Sequence, residues 1–336
     1  MSPATVTKQF LCCAYLMMKI TSVYSQSFGV IHRVDPRLNQ LIPSHAKLEK
    51  LAEGFEWTEG PLWIPNENSL LFTDIPKNTI YKWKAGEGLS VYLRPAGYVG
   101  EDPPGIELGS NGLILSPNGQ LVMCDHGNRC ISQLNAQNFT KKILADKYEG
   151  KRLNSPNDGI FKSNGDFYFT DPPYGLAGQN KDSKKELGFN GVYRLSKDGK
   201  LTLLTMEFTF PNGIAFSPDE KTLYVAQSDP EKAIWKAFEV RDDGTIANGK
   251  VLFDATPWVK QGKKGLPDGL KVDRAGFLYA TGPGGVIVFS PEGKHLGTIE
   301  TGEATSNCAF GDDGSMLYIT ADMYLCRIAL NTIGKM

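Results

Sequence analysis

The chain has 336 residues, of which 41% are hydrophobic and 22% charged, with a formal net charge of −1. That balance is globular and gives no electrostatic footprint for nucleic acid or an anionic membrane. No apolar run reaches the length of about 18 residues that a spanning helix needs; the length allows two domains or one large all-β or α/β unit.

Taken from the start, Lys8 precedes the apolar run FLCCAYLMM (Phe10–Met18), and Val23 and Ser25 sit at small-residue cleavage positions. This is the shape of a secretory signal over 1–25, despite a thin basic start and an off-pattern Lys19. Export to the periplasm or the exterior is expected; the alternative is a disordered or mis-started N-terminus. Residues 26–45 read as a linker to a single unit over 46–332. Cys12 and Cys13 would leave with the signal. Cys124 and Cys130 bracket one strand connection, and Cys308 and Cys326 read as lying in adjacent strands of another unit. Either pair could bridge in an oxidising compartment, or all four could be buried thiols. With no CxxC and four His, a zinc cluster is not indicated.

The body of the chain repeats. Short runs LLFTD, LVMCD, FYFTD, LYVAQ, LYATG and LYITA end at 74, 125, 171, 227, 282 and 321. Each follows a turn rich in Pro, Gly, Asp or Asn, and each turn follows another short apolar strand such as GLILS, GIFK or GIAFS. A strand–turn–strand unit recurring at intervals of this size is the signature of a propeller blade. TIYKW, GVYRLS, AIWKAFEV and GVIVFS supply later strands, and helical periodicity is nearly absent. The reading is an all-β, six-bladed β-propeller. Its last unit ends one strand short at YLCRIAL, and AKLEKLAEG near the N-terminus can supply that strand, closing the ring with both termini and removing its open edge.

In such a ring the residue entering each innermost strand lies at one mouth of the central channel. Those residues are Glu59, Asn111, Asn157, Asn212, Asp268 and Asn307, all carboxylates or carboxamides. Asn or Asp before Gly can simply make a turn. Six equivalent positions including Glu59 favour a shared site instead, and oxygen ligands without Cys or His suit calcium, magnesium or manganese. Second strands end at the same face with Asp74, Asp125, Asp171 and the neighbouring His126. The two longest connections, 95–109 and 172–189, also lie there, where long loops form walls or lids. Arg152 and Tyr174 flank them and could hold a polyhydroxy ligand; KDSKKE reads as a solvated loop tip.

From about Lys50 onward the chain resembles the gluconolactonase/regucalcin group of six-bladed sugar-lactone lactonases. The motifs are EGPLW, DHGNRC, KRLNSPNDGIF, FTDPPYGL, FPNGIAFSPDEKTLYVAQSDP, LPDGLKVD and SNCAFGDDGSMLYITADMYL, and the likeness is closer to the bacterial branch. The resemblance implies one divalent cation held by Glu59, Asn212 and Asp268, with Asn157 close to metal and substrate. Calcium is foremost, with magnesium, manganese or zinc as alternatives. It also implies Asp268 as the general base or proton-transfer group. One departure is Ser155, which stands where regucalcin-like members carry an Arg; Arg152 is the nearby alternative.

These readings predict hydrolysis of a glucono-1,5-lactone-type ester to the aldonic acid by a monomer or small homo-oligomer. The metal would polarise the carbonyl, Asp268 would aid water attack, and Asn111, Asn157, Asp125, His126, Asp171, Tyr174 and Arg152 would contact the sugar. No G-x-S-x-G elbow supports a covalent serine route. Two alternatives stay open: a hydrolase of the same fold acting on aryl esters or phosphotriesters, and a non-catalytic binding platform.

Overall fold

The computed structural model describes residues 28–334, so the signal-like segment 1–25 lies outside the described residues. Six antiparallel sheets form the blades of a propeller. The first five run in chain order over 58–93, 110–145, 159–208, 211–254 and 270–300. The sixth is made from Thr305–Gly311, Met316–Ala321 and Tyr324–Ala329, completed by Glu49–Glu53 from the other end of the chain. The ring therefore closes as the repeat pattern requires, with the N-terminal strand supplying the missing outer edge.

Blades pack because their second strands are apolar on both faces. Leu70 and Phe72 point to the sixth blade and join Tyr318 and Leu325, whereas Leu71 between them points to the second blade and joins Leu113 and Met123. Period-two alternation thus serves two neighbours at once, which is why LLFTD reads as a continuous apolar run. One apolar cluster fills each of the six gaps between blades. Outermost strands face water on the rim, and Gly88–Leu93 is largely exposed.

The stretch expected to be a linker is built into this wall from Phe28 onward. Val30–Arg33 adds a fifth strand to the fifth blade by pairing with His295–Glu300. The short helix Leu38–Leu41 then buries Leu38, Leu41 and Ile42 between the fifth and sixth blades. These apolar residues carry no repeat signal, because they seal a seam and do not form a blade.

The four described cysteines are buried free thiols. Cys124 pairs with Ile131, and Cys130 pairs with Asp125. Successive residues of a strand face opposite sides, so these two thiols point away from each other. Cys308 and Cys326 are not in adjacent strands: each pairs with Ile319 from its own side. A full strand separates them, two ladder spacings or roughly 9.5 Å, beyond the span of a disulfide. Among the described residues no helix is long and apolar enough to cross a membrane.

Crowding at the axis explains the glycines after the ring residues. A Cβ on Gly213 would lie 2.2 Å from the Asp268 carbonyl oxygen, and one on Gly269 would lie 2.1 Å from the Asn307 side chain. These glycines permit blade-to-blade contact, a demand separate from any turn. Gly213→Ala is expected to destabilise the protein by about 1–3 kcal/mol through overpacking and to displace Asp268. Urea denaturation checks the first effect, and a loss of activity greater than the loss of folded protein checks the second.

Candidate active site

The innermost strands bring Glu59, Asn111, Asn157, Asn212 and Asp268 to one cavity of about 510 Å³ at the channel mouth. All six blades contribute to its wall. Tyr174 from the 172–189 connection and Glu107 from the 95–109 connection line it as well, with Trp57, Ile75, Val259 and Leu266 giving apolar surface.

Two carboxamides in this cavity have their orientation set from behind. Asn212 Nδ2 donates to Ser228 Oγ at 2.8 Å, and Ser228 Oγ donates to the Pro267 carbonyl at 2.5 Å. Asn111 Nδ2 lies 3.4 Å from His126 Nε2, while His126 Nδ1 is 2.8 Å from Glu107 Oε2. The tautomer that serves both contacts carries its proton on Nδ1, donating to Glu107 and accepting from Asn111. Each amide is thereby left with its oxygen unused. The Oδ1 atoms of Asn111, Asn212 and Asp268 are all buried without a hydrogen-bond partner. Leaving a buried polar atom unsatisfied costs about 1–3 kcal/mol each, and three such oxygens around one cavity describe a place for a ligand that brings positive charge or donors.

Charge points the same way. Burial pushes the Glu59 carboxyl up to about 8, with the nearby Asp158 adding to the rise, although Gly60 N and Asn307 Nδ2 both donate to its Oε2. Burial, then the charge of Glu59, holds the Asp268 carboxyl well above the usual carboxylate range. A divalent cation suits this donor set, since it would pair both carboxylates and satisfy the carboxamide oxygens. Among the described residues no three His, Cys, Asp or Glu side chains form a metal cluster; here two carboxylates would be completed by amide oxygens.

Deeper in the channel stands a group that the sequence reading passed over. Asp158, one residue after Asn157, accepts from Gly159 N at 2.8 Å and lies 3.4 Å from Asn307 Nδ2. Lys271 Nζ approaches Asn307 Oδ1 at 3.4 Å and Asp158 Oδ2 at 3.9 Å. Asn307 therefore belongs to the channel interior rather than the cavity wall. Asp158 was detectable, because it directly precedes a Gly as Glu59, Asn111, Asn212 and Asp268 do. Glu107 lies in a loop already singled out as a wall, and only its register was hidden.

Other expected contacts fall elsewhere. His126 is fully buried with both ring nitrogens occupied, so it stands behind the wall. Asp171 accepts from Asn154 N and Ser155 N, and Asp74 from Glu56 N and Trp57 N. Gln227 does the same for Thr209 N. These strand ends latch the loop that enters their own blade. Asp125 spends its oxygens on Asn128 and on Lys141 Nζ at 2.8 Å. Arg152 donates to the Asn128 carbonyl and does not line the cavity. Ser155 Oγ donates to the Pro172 carbonyl and accepts from Gly175 N, fixing the loop that carries Tyr174.

The pH dependence of stability follows from Glu59. Its ordinary value is 4.5 and its folded value about 8, so between these the folded chain keeps a proton that the unfolded chain has released. Raising pH through that window weakens the fold. In metal-free buffer the unfolding free energy should fall from pH 5 to pH 8, and Glu59→Gln should make that slope shallower, leaving the part due to Asp171 and Asp268, whose carboxyls burial also raises. Urea midpoints at the two pH values decide the matter.

The family model described as the SMP-30/Gluconolactonase/LRE-like region matches residues 57–322. A gluconolactonase of Zymomonas mobilis is 39% identical over 314 residues, covering 92% of this chain and 88% of that protein. A solved gluconolactonase structure from Xanthomonas campestris superposes with a TM-score of 0.78 at 32% identity, over 89% of this chain and 94% of that one. Regucalcin of Xenopus laevis is 28% identical over 280 residues, 81% of this chain and 85% of its own length. With the blade order, the closed ring and the oxygen-lined mouth already in view, these likenesses lead to one conclusion: the chain belongs to the SMP-30/gluconolactonase family.

Proposed function

We propose that this chain hydrolyses a sugar lactone of the glucono-1,5-lactone type to the open aldonic acid, using one divalent cation bound by Glu59, Asn212 and Asp268. The observation that carries this reading is the convergence of unpartnered buried oxygens on one cavity, with two carboxylates among the donors. Similarity to the Zymomonas mobilis and Xanthomonas campestris gluconolactonases supports the substrate class.

When bound, the cation supplies Lewis-acid polarisation of the lactone carbonyl and charge stabilisation for the oxyanion. The chain's own residues do the rest. Glu59 is held rigid through Oε2 by Gly60 N and Asn307 Nδ2. Asn212 presents Oδ1 because Ser228 fixes its amide nitrogen. Asp268 Oδ1 lacks an intramolecular partner and accepts a proton from the attacking water. As the water oxygen bonds to the carbonyl carbon, the ring C–O bond breaks and the departing oxygen takes a proton, giving a hydroxy acid. Ligation lowers a carboxylate's basicity, so Asp268 acts best by orienting water and passing the proton on. Tyr174, stacked on Phe210 at 5.6 Å, offers a buried hydroxyl beside Ser228 and Asn212. Asn157 completes the polar wall beside it. Trp57, Ile75 and Leu266 exclude solvent from the other side.

Acid release from glucono-1,5-lactone, followed in a pH-stat, should vanish with EDTA and return when calcium, magnesium or manganese is added back. Asp268→Asn should lower kcat at least about 10³-fold, in line with loss of a central proton-handling group, and leave the far-UV circular dichroism unchanged. Wild-type turnover in that variant, or full activity in EDTA, contradicts the assignment.

A further inference from the structure

The cavity wall contributed by the second blade has a chemical character that the reaction alone does not demand. Glu107 and Asn111 both line the cavity, and both are gripped by one fully buried imidazole, that of His126. Because His126 takes one of the two Asn111 amide hydrogens, the amide is oriented with its oxygen left unpaired at the cavity. Glu107 is a carboxylate, with a quarter of its side chain exposed. The wall thus sets two acceptors side by side, a carboxylate and an unpaired amide oxygen. Among the described residues lining the cavity are three carboxylates, Glu59, Glu107 and Asp268, and no Lys or Arg. Lys271 belongs to the deeper group with Asp158 and Asn307.

A cation bound at the mouth would offset Glu59 and Asp268 and leave Glu107 uncompensated. A ligand lying against this wall must then satisfy two adjacent acceptors with two O–H donors and must not bring negative charge of its own. A site built to bond a hydroxyl discriminates strongly against an analogue lacking it, since its polar groups are left unpaired. Like charge next to a partly buried carboxylate is unfavourable as well.

We propose that Glu107 and Asn111, both positioned by His126, form a paired-acceptor wall that reads neighbouring hydroxyls of an uncharged polyhydroxylactone and rejects phosphorylated and unsubstituted lactones. The proposal rests on the lactonase reading given above and names its substrate class. His126 is a positioning residue here, not a substrate contact. Its two contacts can be separated by isosteres: Asn places an amide nitrogen near the site of Nδ1, and Gln places an oxygen near that of Nε2. His126→Asn should keep Glu107 braced and free Asn111, whereas His126→Gln should keep Asn111 oriented and release Glu107.

The test compares kcat/KM for glucono-1,5-lactone, its 6-phosphate and δ-valerolactone in wild type, Glu107→Gln, His126→Asn and His126→Gln, with calcium affinity measured by calorimetry in parallel. Wild type should prefer the neutral sugar lactone by at least about 100-fold over both others. Glu107→Gln and His126→Gln should narrow the margin over the phosphorylated lactone at least about tenfold, since both weaken the placed charge. His126→Asn should raise KM for the sugar lactone while narrowing the phosphate margin less, a split that general loosening of the fold does not produce. Calcium affinity should stay within about twofold in all three, since none is a proposed ligand. Glu107→Gln alters a partly exposed side chain, so it reports even if the His126 variants fail to fold. Selectivity unchanged in Glu107→Gln overturns the proposal. So does weakened calcium binding in His126→Asn, which would assign Asn111 to the cation instead. A wild type inactive on all three lactones overturns the lactonase reading and this proposal together; activity without selectivity overturns this proposal alone.

Discussion

Closure of the ring is the constraint on which everything else in this protein depends. Each blade is apolar on both faces and stable only between two neighbours, so the chain cannot leave a first or last blade uncovered. The seam is closed at three levels. Glu49–Glu53 completes the sheet of the sixth blade, Leu38, Leu41 and Ile42 fill the gap to the fifth, and Ser306 Oγ donates to the Thr58 carbonyl at 2.6 Å near the axis. Asn307 Nδ2 then reaches Glu59 Oε2 across the same seam. A ligand position of the proposed site is therefore held in part by the contact that joins the two ends of the fold.

Closure also creates the electrostatic problem that gives the site its chemistry. Six strand entries meet at an axis too narrow for side chains beyond glycine at several points, so their polar neighbours are forced inward together. Burial raises the proton affinity of Glu59 and Asp268, and the charge of Asp158 adds to both, as that of Glu59 adds to Asp268. Lys271 and Asn307 answer part of this within the channel. At the mouth, among the described residues, three oxygens stay without donors. Departures of this kind from full polar satisfaction concentrate at functional sites, where a ligand completes the network.

The carboxylates at the strand ends show how similar residues divide between structure and chemistry. Asp74 and Asp171 stand on the same face as Glu59 and Asp268 and are as deeply buried as Glu59. Their oxygens, however, accept backbone N–H groups of the loop entering their own blade. Gln227 performs this task without a charge, so the latch needs an acceptor, not a carboxylate. Ring residues differ because the strand geometry aims them at the axis, where there is little backbone left to bond.

Blade number, the chain order of the strands, the borrowed closing strand and five of the six oxygen-bearing residues expected at the mouth were legible in the chain, because a local pattern repeated six times shows both its members and what its last copy lacks. So was the likeness in motifs such as LPDGLKVD. Other features depended on which groups meet in space. Register along one entry loop put Asn157 at the cavity and Asp158 below it. Ladder pairing set Cys124 and Cys130 on opposite faces and kept a strand between Cys308 and Cys326. The His126 imidazole turned out to stand behind the wall, bridging Glu107 and Asn111, residues separated from it by 19 and 15 positions. Periodicity is a property of neighbouring residues and survives in one dimension; the partner of a buried polar atom is decided only when distant segments are brought to the same axis.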